Sequence, residues 1–579
     1  MVCSISASRI RDCAEACDTA ARAPTANAVA AAAVRKDQGL TNGGPPNKRS
    51  VPEISALWRQ WGAVAAVAAL VPLSACGGGL AHFVSNDDPN AAIGAGVAAD
   101  EPGAAVIGRD VLAAGGSAGD AAVAMAFALT ATYPSRASLG GGGVCLVREP
   151  KTQVTEALDF LPRAPSAAIP PGAPRIAVPG FARGMFAVHA RLGRLRWEEL
   201  VAPGERLARF GLDVSRAFAH DLAGATGMIE RDAAARAIFA GPNGAPLDAG
   251  QRMRQLDLAG QLGRIRAEGV GAFYVGPAAQ GFVSGVRALG GVMSVEDLRD
   301  YRATWQPSVK AKVGDETGHF APQAMGGLAA AELWAMLGES GRWDGTRADE
   351  RPHLVAEATA RAGVASVPLD AKGHIAKEWV ERAMRGYDPA RHVAPPPAPG
   401  AASEDGESTG FVAVDGAGGA VACALTAGGL FGAHAVVPST GIVAAQIPEP
   451  ATLWSLAPML VVNDFTKDTF RAAAAAGDAA APVALHEVVL PIVESHAKPA
   501  DAVSAPRLTY NAAIDATTVE SAGDDIARAL TVRGHRVGRV PALARVNILY
   551  CEGGARRDGQ SCRIATDPRG FGLALGADH

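Results

Sequence analysis

A polar loop that passes directly into an apolar hairpin is the feature that most constrains this chain. Residues 394–408 read APPPAPGAASEDGES, which is typical of a loop, and an apolar run begins at Phe411. That run ends at Asp415-Gly416, and a second run starts at Ala420. Asp-Gly between two apolar runs predicts a β-hairpin. Ser408 and Thr409 therefore either begin an ordinary strand or become a new, catalytic N-terminus after the chain is cut.

Composition limits the class of protein. The chain has 579 residues, of which 49% are hydrophobic and 5% aromatic, so a large core rich in small side chains is expected. The formal net charge of −4 gives no reason to expect a nucleic-acid partner.

The N-terminal region predicts export. Arg59 precedes an apolar stretch over residues 62–73, and Leu-Ser-Ala-Cys follows, ending at Cys76. A run this short fits a signal peptide better than a membrane span, and the motif resembles a bacterial lipobox with Cys76 as the lipidated residue. We therefore expect a lipoprotein signal over residues 51–76, a tether over 77–95, and a periplasmic, lipid-anchored protein. A plain signal peptide or a buried helix are the alternatives, and residues 1–50, which are low in complexity, suggest a misassigned start.

The cysteines agree with an oxidising compartment. Cys551 and Cys562 flank a polar loop between two strand-like runs and are predicted to form a disulfide. Cys145 and Cys423 lie in apolar runs, and each is expected to be a buried structural thiol. No metal site is predicted.

Hydrophobic patterning divides the mature chain into a helix-rich portion over residues 96–407 and a strand-rich portion over 408–579. A helix ending near Leu112 is followed by Ser117 and Asp120, which have capping-box spacing, and then by a helix that is apolar nearly all round. His434 and His486 lie in apolar runs and are expected to be structural rather than general bases.

An ordered set of motifs then resembles the gamma-glutamyltranspeptidase family over about residues 100–579. The motifs are VLAAGGSAGDAAVAMAFALTATYP, SLGGGG, LDFLPRAP, VPGFARG, RLGRLRWEELVAPGERLARFGLDVS, GVGAFYVG and GGVMSVEDLRDY, followed near the C-terminus by SAPRL and TDPRG.

This resemblance implies an α+β fold of the N-terminal-nucleophile hydrolase type, with two stacked sheets between helix layers. It implies autocleavage into a large and a small subunit of the same chain, and attack of the new N-terminal hydroxyl on a gamma-glutamyl amide such as glutathione. A free α-amine next to the hydroxyl serves as the base in this chemistry, so neither a cofactor nor a metal is expected.

The family's junction motif maps the catalytic residues onto this sequence. Counting back from Asp415 puts Ser408 at the nucleophile's place, with Thr409 as the alternative if the cut falls one residue later. Thr426 corresponds to the threonine that hydrogen-bonds the nucleophile. Gly477 and Asp478 are the counterparts of the two residues whose backbone N–H groups form the oxyanion hole.

The groups that would hold the substrate's amino-acid head depart from the family pattern. Leu161 stands where an arginine is expected, leaving Arg163 two residues on. In the segment AQIPEP only Glu449 is acidic, and Ser455 is the one serine left of a pair, with Trp454 beside it. Glycines replace the family's histidine and asparagine at Gly410 and Gly428.

Three hypotheses follow. The first is an exported gamma-glutamyltranspeptidase-type enzyme that cleaves itself before Ser408. The second is an amidase of the same fold that acts on a different acyl substrate. The third is an uncleaved pseudoenzyme with a binding or envelope role.

Overall fold

The computed structural model describes residues 93–363, 367–393, 407–556 and 562–577. The predicted signal, lipidation site and most of the tether lie outside these residues. Within them, no helix combines the length and the apolar character that crossing a membrane requires.

Two antiparallel sheets form the centre of the molecule. Sheet 1 has the strand order β20-β1-β9-β10-β2-β3-β6 and sheet 2 the order β19-β18-β14-β13-β8-β7. The strands of sheet 1 are β1 (Gly96–Ala99), β2 (Gly142–Glu149), β3 (Val154–Asp159), β6 (Thr304–Pro307), β9 (Ser408–Val414), β10 (Ala420–Thr426) and β20 (Leu573–Gly576). Those of sheet 2 are β7 (Val309–Val313), β8 (Glu316–Phe320), β13 (Ala457–Asn463), β14 (Thr469–Ala476), β18 (Arg545–Cys551) and β19 (Cys562–Ala565).

Smaller sheets lie at the periphery. They comprise the pair β4 (Leu212–Asp213) and β5 (Arg252–Met253), the pair β11 (Val436–Val437) and β12 (Ile442–Val443), and a three-stranded sheet of β15 (Leu508–Asn511), β16 (Ala516–Glu520) and β17 (Val537–Val540).

Helices cover both sheets. Between β1 and β7 lie α1 (Pro102–Ala113), α2 (Ala118–Thr132), α3 (Phe181–Leu192), α4 (Trp197–Phe210), α5 (Arg216–Ala223), α6 (Thr226–Arg231), α7 (Ala233–Phe239), α8 (Leu256–Glu268), α9 (Gly271–Tyr274), α10 (Gly276–Ala288) and α11 (Val295–Asp300). After β8 come α12 (Met325–Trp334, continued by a π-helical turn to Glu339), α13 (Arg342–Gly345), α14 (Arg351–Thr359), α15 (Lys377–Ala383), α16 (Pro450–Trp454), α17 (Ala481–Ser495), α18 (Pro499–Ser504) and α19 (Asp524–Val532).

The buried apolar residues form three layers. One layer packs α2 and its neighbours against sheet 1, a second packs α12 and α17 against sheet 2, and a third fills the space between the sheets with small residues such as Val412 and Ala474. Alternate residues of each strand face opposite layers. The α+β prediction of two stacked sheets between helix layers is confirmed.

The two local elements that the sequence predicted, a capped helix and a hairpin, are present in the structure. Ser117 caps α2 in a capping box with Asp120, and every residue of α2 is buried. The apolar runs around Asp415-Gly416 form the hairpin β9–β10. The helix-rich and strand-rich portions, however, are interleaved, since β9 and β10 lie between β1 and β2 in sheet 1.

The cysteines correct one expectation. Cys551 and Cys562 form a disulfide, as the sequence suggested, but Cys145 and Cys423 are also joined and are not free thiols. The register of β2 and β10 places Cys145 directly opposite Cys423, with the two Cα atoms 4.1 Å apart. Their separation of 278 residues along the chain hid this pairing from the sequence.

Candidate active site

Ser408 is the first residue of β9 and is completely buried. Its hydroxyl donates to the backbone oxygen of Ser455 at 2.8 Å and accepts from the backbone N–H of Gly477 at 2.9 Å. The stacking of the two sheets produces this contact, because Ser408 begins a strand of sheet 1 and Gly477 follows β14 of sheet 2. The structure therefore brings the Ser408 hydroxyl and the Gly477 N–H into direct contact.

Asp478 does not turn its carboxylate toward Ser408. Its Oδ1 accepts from the backbone N–H of Ala480 at 2.7 Å, and its Oδ2 accepts from that of Ala544 at 2.8 Å. Burial raises the pKa of Asp478. Both oxygens are thus engaged by backbone N–H groups rather than by the Ser408 hydroxyl.

The bond before Ser408 has its own hydrogen-bond donor. The Thr426 hydroxyl donates to the carbonyl oxygen of Glu407 at 3.0 Å and accepts from the backbone N–H of Gly428 at 2.8 Å. Thr426 lies opposite Ser408 in the β9–β10 register. A donor at this oxygen is placed to stabilise negative charge when the carbonyl is attacked.

Thr409 faces away from this group. Its hydroxyl donates to Asp100 Oδ2 at 3.0 Å, and the same oxygen accepts from the backbone N–H of Gly410 at 3.0 Å. Asn547 Nδ2 donates to Asp100 Oδ1 at 2.7 Å, so the carboxylate is held from several sides. The geometry therefore favours Ser408 over Thr409 as the attacking group.

Two arginines that the sequence analysis did not select approach the same point. Arg545 Nη2 and Arg136 Nη1 donate to the backbone oxygen of Ser408 at 3.1 and 3.4 Å. Arg136 also forms a two-pronged ion pair with Asp221, at 2.7 and 2.8 Å, and lies 3.7 Å from the carboxylate of Glu407. The available signal was an arginine in the turn that follows the buried helix α2, within the motif TATYPSRASLGGGG.

The ion pair between Arg136 and Asp221 strongly shifts the pKa of Asp221. Burial alone would raise the pKa of Asp221, but the charge of Arg136 and hydrogen bonds from His220, Arg136 and Ser135 hold it well below its usual range. Arg136 is itself buried, with 9% of its side chain exposed. A buried guanidinium held by one carboxylate retains donors for a second anionic group.

The predicted substrate-binding side chains do not share this arrangement. Arg163 has 44% of its side chain exposed and pairs with Asp159, and Glu449 is half exposed and pairs with Arg175. Ser455 contributes its carbonyl to Ser408, but its hydroxyl donates to the backbone oxygen of Thr452.

Backbone geometry excludes a side chain at Gly428 and leaves little room for one at Gly410. Gly428 has a φ of +88°, and a Cβ there would lie 2.0 Å from the carbonyl oxygen of Gln446. A Cβ on Gly410 would lie 3.1 Å from the carbonyl oxygen of Ala474 in the facing sheet. An asparagine at Gly428 is therefore incompatible with this backbone.

His486 lies in the core of the molecule, away from Ser408. It is buried between Phe320 and Trp334, and its Nδ1 contacts the backbone oxygen of Pro482 at 2.7 Å. Burial lowers the pKa of His486 to about 4, so the ring is neutral.

Comparisons with known proteins agree with this geometry. The gamma-glutamyltranspeptidase family model matches residues 104–577. The glutathione hydrolase proenzyme of Bacillus subtilis (strain 168) is 27% identical over 77% of this chain and 85% of that protein. The acylase ACY 1 proenzyme of Pseudomonas sp. (strain SE83) is 28% identical over 80% of this chain and 91% of that protein. The solved structure of cephalosporin acylase from Bacillus halodurans has a TM-score of 0.72 and 22% identity, covering 85% of this chain and 97% of that one, which supports the fold. The chain belongs to the gamma-glutamyltranspeptidase family, a family of N-terminal-nucleophile enzymes.

Proposed function

We propose that this protein is a self-cleaving amidase that uses Ser408 as its nucleophile and accepts acyl groups of the gamma-glutamyl type. The observation that carries the proposal is the buried Ser408 hydroxyl between the Gly477 N–H and the Glu407–Ser408 peptide bond, whose oxygen is held by Thr426.

Self-cleavage begins with attack of Ser408 Oγ on the Glu407 carbonyl carbon. Charge develops on the Glu407 oxygen, where the Thr426 hydroxyl donates. The carbon–nitrogen bond then breaks, the hydroxyl proton is transferred to the leaving amine, and an ester joins Glu407 to Ser408. Water hydrolyses the ester, which leaves a carboxylate on Glu407 and a free amine and hydroxyl on Ser408.

Turnover repeats this chemistry on an external amide. The α-amine of Ser408 acts as the base for its own hydroxyl. The Gly477 N–H, which donates to the Ser408 hydroxyl in the uncut chain, is the backbone donor for the carbonyl oxygen of the substrate. Water or an acceptor amine then releases the acyl group.

Glu407 itself indicates the acyl group. From its backbone carbonyl carbon to its side-chain carboxyl carbon it contains five carbons, as does a gamma-glutamyl group from the amide carbon to the α-carboxyl carbon. In the uncut chain the Glu407 carboxylate lies 3.7 Å from Arg136. Arg136 would thus receive the carboxylate of an acyl donor after cleavage, in place of the arginine missing at Leu161.

A second candidate substrate is a glutaryl amide, which has the same carbon chain without the α-amine. The pairing of Glu449 with Arg175, and Pro450 beside it, favour this candidate because little remains to bind an ammonium group.

The first test is gel electrophoresis of the purified mature chain with and without reductant. Cys145 lies before the proposed cut and Cys423 after it, so their disulfide would hold the two fragments together. We expect one band without reductant and two with it, with Ser408 at the N-terminus of the smaller fragment. Ser408→Ala should give one band in both conditions. A single reduced band from the unmodified protein would overturn the proposal in favour of an uncleaved binding protein.

The second test compares p-nitroanilides of gamma-glutamate, glutarate and acetate. Release from either five-carbon acyl group, with at least tenfold less from acetyl, is expected. Preference for glutaryl would select the second candidate. Equal rates on all three would contradict the role of Arg136.

We also propose that the chain is exported and lipid-anchored through Cys76. The two disulfides support an oxidising compartment. Labelling with a radioactive fatty acid that persists in Cys76→Ala would contradict the anchor.

A further inference from the structure

A buried group of three histidines and one glutamate lies apart from the residues around Ser408. His353 and Glu357 are four residues apart on α14 and project from the same face of that helix. His535 lies between α19 and β17, and His392 lies beyond α15. His353 and Glu357 are fully buried, and His392 has 10% of its side chain exposed.

Their ligating atoms converge. His353 Nδ1 and His535 Nε2 are 2.8 Å apart, and His535 Nε2 is 3.9 Å from Glu357 Oε1. These three atoms lie within 4.8 Å of one another. His392 Nδ1 is 2.5 Å from the same glutamate oxygen. Two ligands of a tetrahedral zinc ion at bond lengths of about 2.0–2.1 Å are about 3.3 Å apart, and the observed distances lie on both sides of that value.

The other polar atom of each residue is held by a further partner. His353 Nε2 contacts the backbone oxygen of Asp388 at 2.9 Å, and His535 Nδ1 contacts the Thr517 hydroxyl at 2.9 Å. His392 Nε2 contacts Asp515 Oδ1 at 3.0 Å. Metal-binding histidines characteristically use their second nitrogen in this way, which fixes the ring and directs the first nitrogen to the ion.

Glu357 follows the same pattern. Arg361 Nη1 donates to Glu357 Oε2 at 2.6 Å, which leaves Oε1 facing the histidines. A neutral backbone oxygen can only accept, so His353 Nε2 carries the proton and His353 Nδ1 presents a lone pair.

We propose that His353, Glu357 and His535 bind one divalent transition-metal ion, with Zn²⁺ the best match to two imidazoles and one carboxylate. His392, which contacts Glu357 Oε1 and stacks on the ring of His535, would hold these two ligands in place. The ion would fasten α14 to the sheet of β15, β16 and β17, and the deep burial of its ligands favours a structural role. The sequence analysis predicted no metal because only His353 and Glu357 are close along the chain.

The test measures zinc in the full-length protein. After dialysis against a chelating resin, we expect about one zinc per chain by mass spectrometry, and a fall in melting temperature when a strong chelator removes it. His353→Ala and His535→Ala should each lower zinc affinity about 100-fold or more. Asp515→Asn, which alters the shared partner of His392 and the Tyr510 hydroxyl, should lower it about 10–100-fold.

The matched control is His496→Asn. His496 is exposed and left-handed, with a φ of +51°, a conformation that asparagine tolerates. This variant should hold zinc as the unmodified chain does. Ser408→Ala should also hold it, which separates this proposal from self-cleavage.

Cobalt provides a second measurement that does not require a variant to fold. Co²⁺ added to the metal-free protein should give visible absorption typical of tetrahedral nitrogen and oxygen coordination, and Zn²⁺ should abolish it. The proposal is overturned if the unmodified chain neither retains zinc nor melts at a higher temperature with added Zn²⁺. It is equally overturned if zinc binding is unchanged in His353→Ala and His535→Ala.

Discussion

The residues that surround the Ser408 hydroxyl differ sharply from the residues expected to hold the substrate's head. Ser408 and Thr426 are fully buried. The Ser408 hydroxyl bonds to the backbone of Ser455 and Gly477, and the Thr426 hydroxyl bonds to the carbonyl oxygen of Glu407. Arg163 and Glu449 are about half exposed, and each pairs with a nearby ion. The first set is positioned by strand register and sheet stacking, whereas the second lies on segments that the sheets do not fix.

This difference shows that the bond-breaking chemistry and the choice of substrate have separate structural origins. The β9–β10 register places Ser408 opposite Thr426. The carboxylate of the acyl group can then be bound by a residue other than the family's arginine. Arg136, which lies beside Glu407, is positioned for this role in the proposed function. Substitutions in the two regions should therefore have very different effects.

Arg136→Met should have the largest effect. It leaves Asp221 buried without its main partner, which typically costs about 3–5 kcal/mol, and it should raise KM for a five-carbon acyl anilide at least tenfold. Chemical denaturation and initial-rate kinetics measure the two quantities. Arg163→Met, at the exposed arginine, is the control and should cost at most about 1 kcal/mol. A raised KM in Arg163→Met alone would reverse the assignment.

Thr426→Val should slow self-cleavage about 10²–10³-fold, because it removes the hydroxyl that donates to the Glu407 oxygen. The time course of precursor disappearance on reducing gels gives the rate. Thr440→Val removes a similarly buried hydroxyl that bonds to Val437, and it should leave the rate within a few-fold. Equal rates in the unmodified chain and Thr426→Val would exclude this role for Thr426.

Acid should weaken the active-site region through Asp221. Its pKa is lowered in the folded state, so its contribution is complete above the unfolded pKa of about 4 and is lost as pH falls toward the folded value. Each unit of separation between the two pKa values is worth about 1.4 kcal/mol. Unfolding free energies at pH 3–6 should fall less steeply in Asp221→Asn than in the unmodified chain. Parallel curves would show that other carboxyl groups dominate.

Glu449→Gln should have the smallest effect. An exposed ion pair contributes about 1 kcal/mol or less, and Glu449 is bound to Arg175 rather than to the Ser408 group. Turnover of gamma-glutamyl and glutaryl anilides should change less than about threefold. A selective loss of gamma-glutamyl turnover would instead show that Glu449 binds the α-amine.

Much of the fold was accessible from the sequence. The capping box at Ser117 and the Asp415-Gly416 hairpin depend on residues a few positions apart, whose preferences are expressed locally. The region around residues 345–410 had no clear periodicity, yet it contains α14 and α15. The low amphipathicity of buried α14 explains this, because a helix enclosed on most sides has no polar stripe.

The candidate site was predictable only in part. Ser408, Thr426 and Gly477 could be found because the family pattern counts residues along strands. Arg136 and Asp221 are 85 residues apart, and the grouping of His353 and His535 spans 182. A local motif can draw attention to Arg136, but no local feature shows which distant residue will be its partner.

The sequence by itself determined the hairpin that begins at Ser408, through local periodicity and turn residues, and its family resemblance implied the two-sheet architecture and the missing arginine at Leu161. Only the tertiary structure decided that Ser408 rather than Thr409 faces Gly477, that Cys145 joins Cys423 and that Arg136 faces Glu407. The physical reason is that successive side chains of a strand point to opposite faces. Which face meets a partner depends on how strands distant in sequence are paired and stacked.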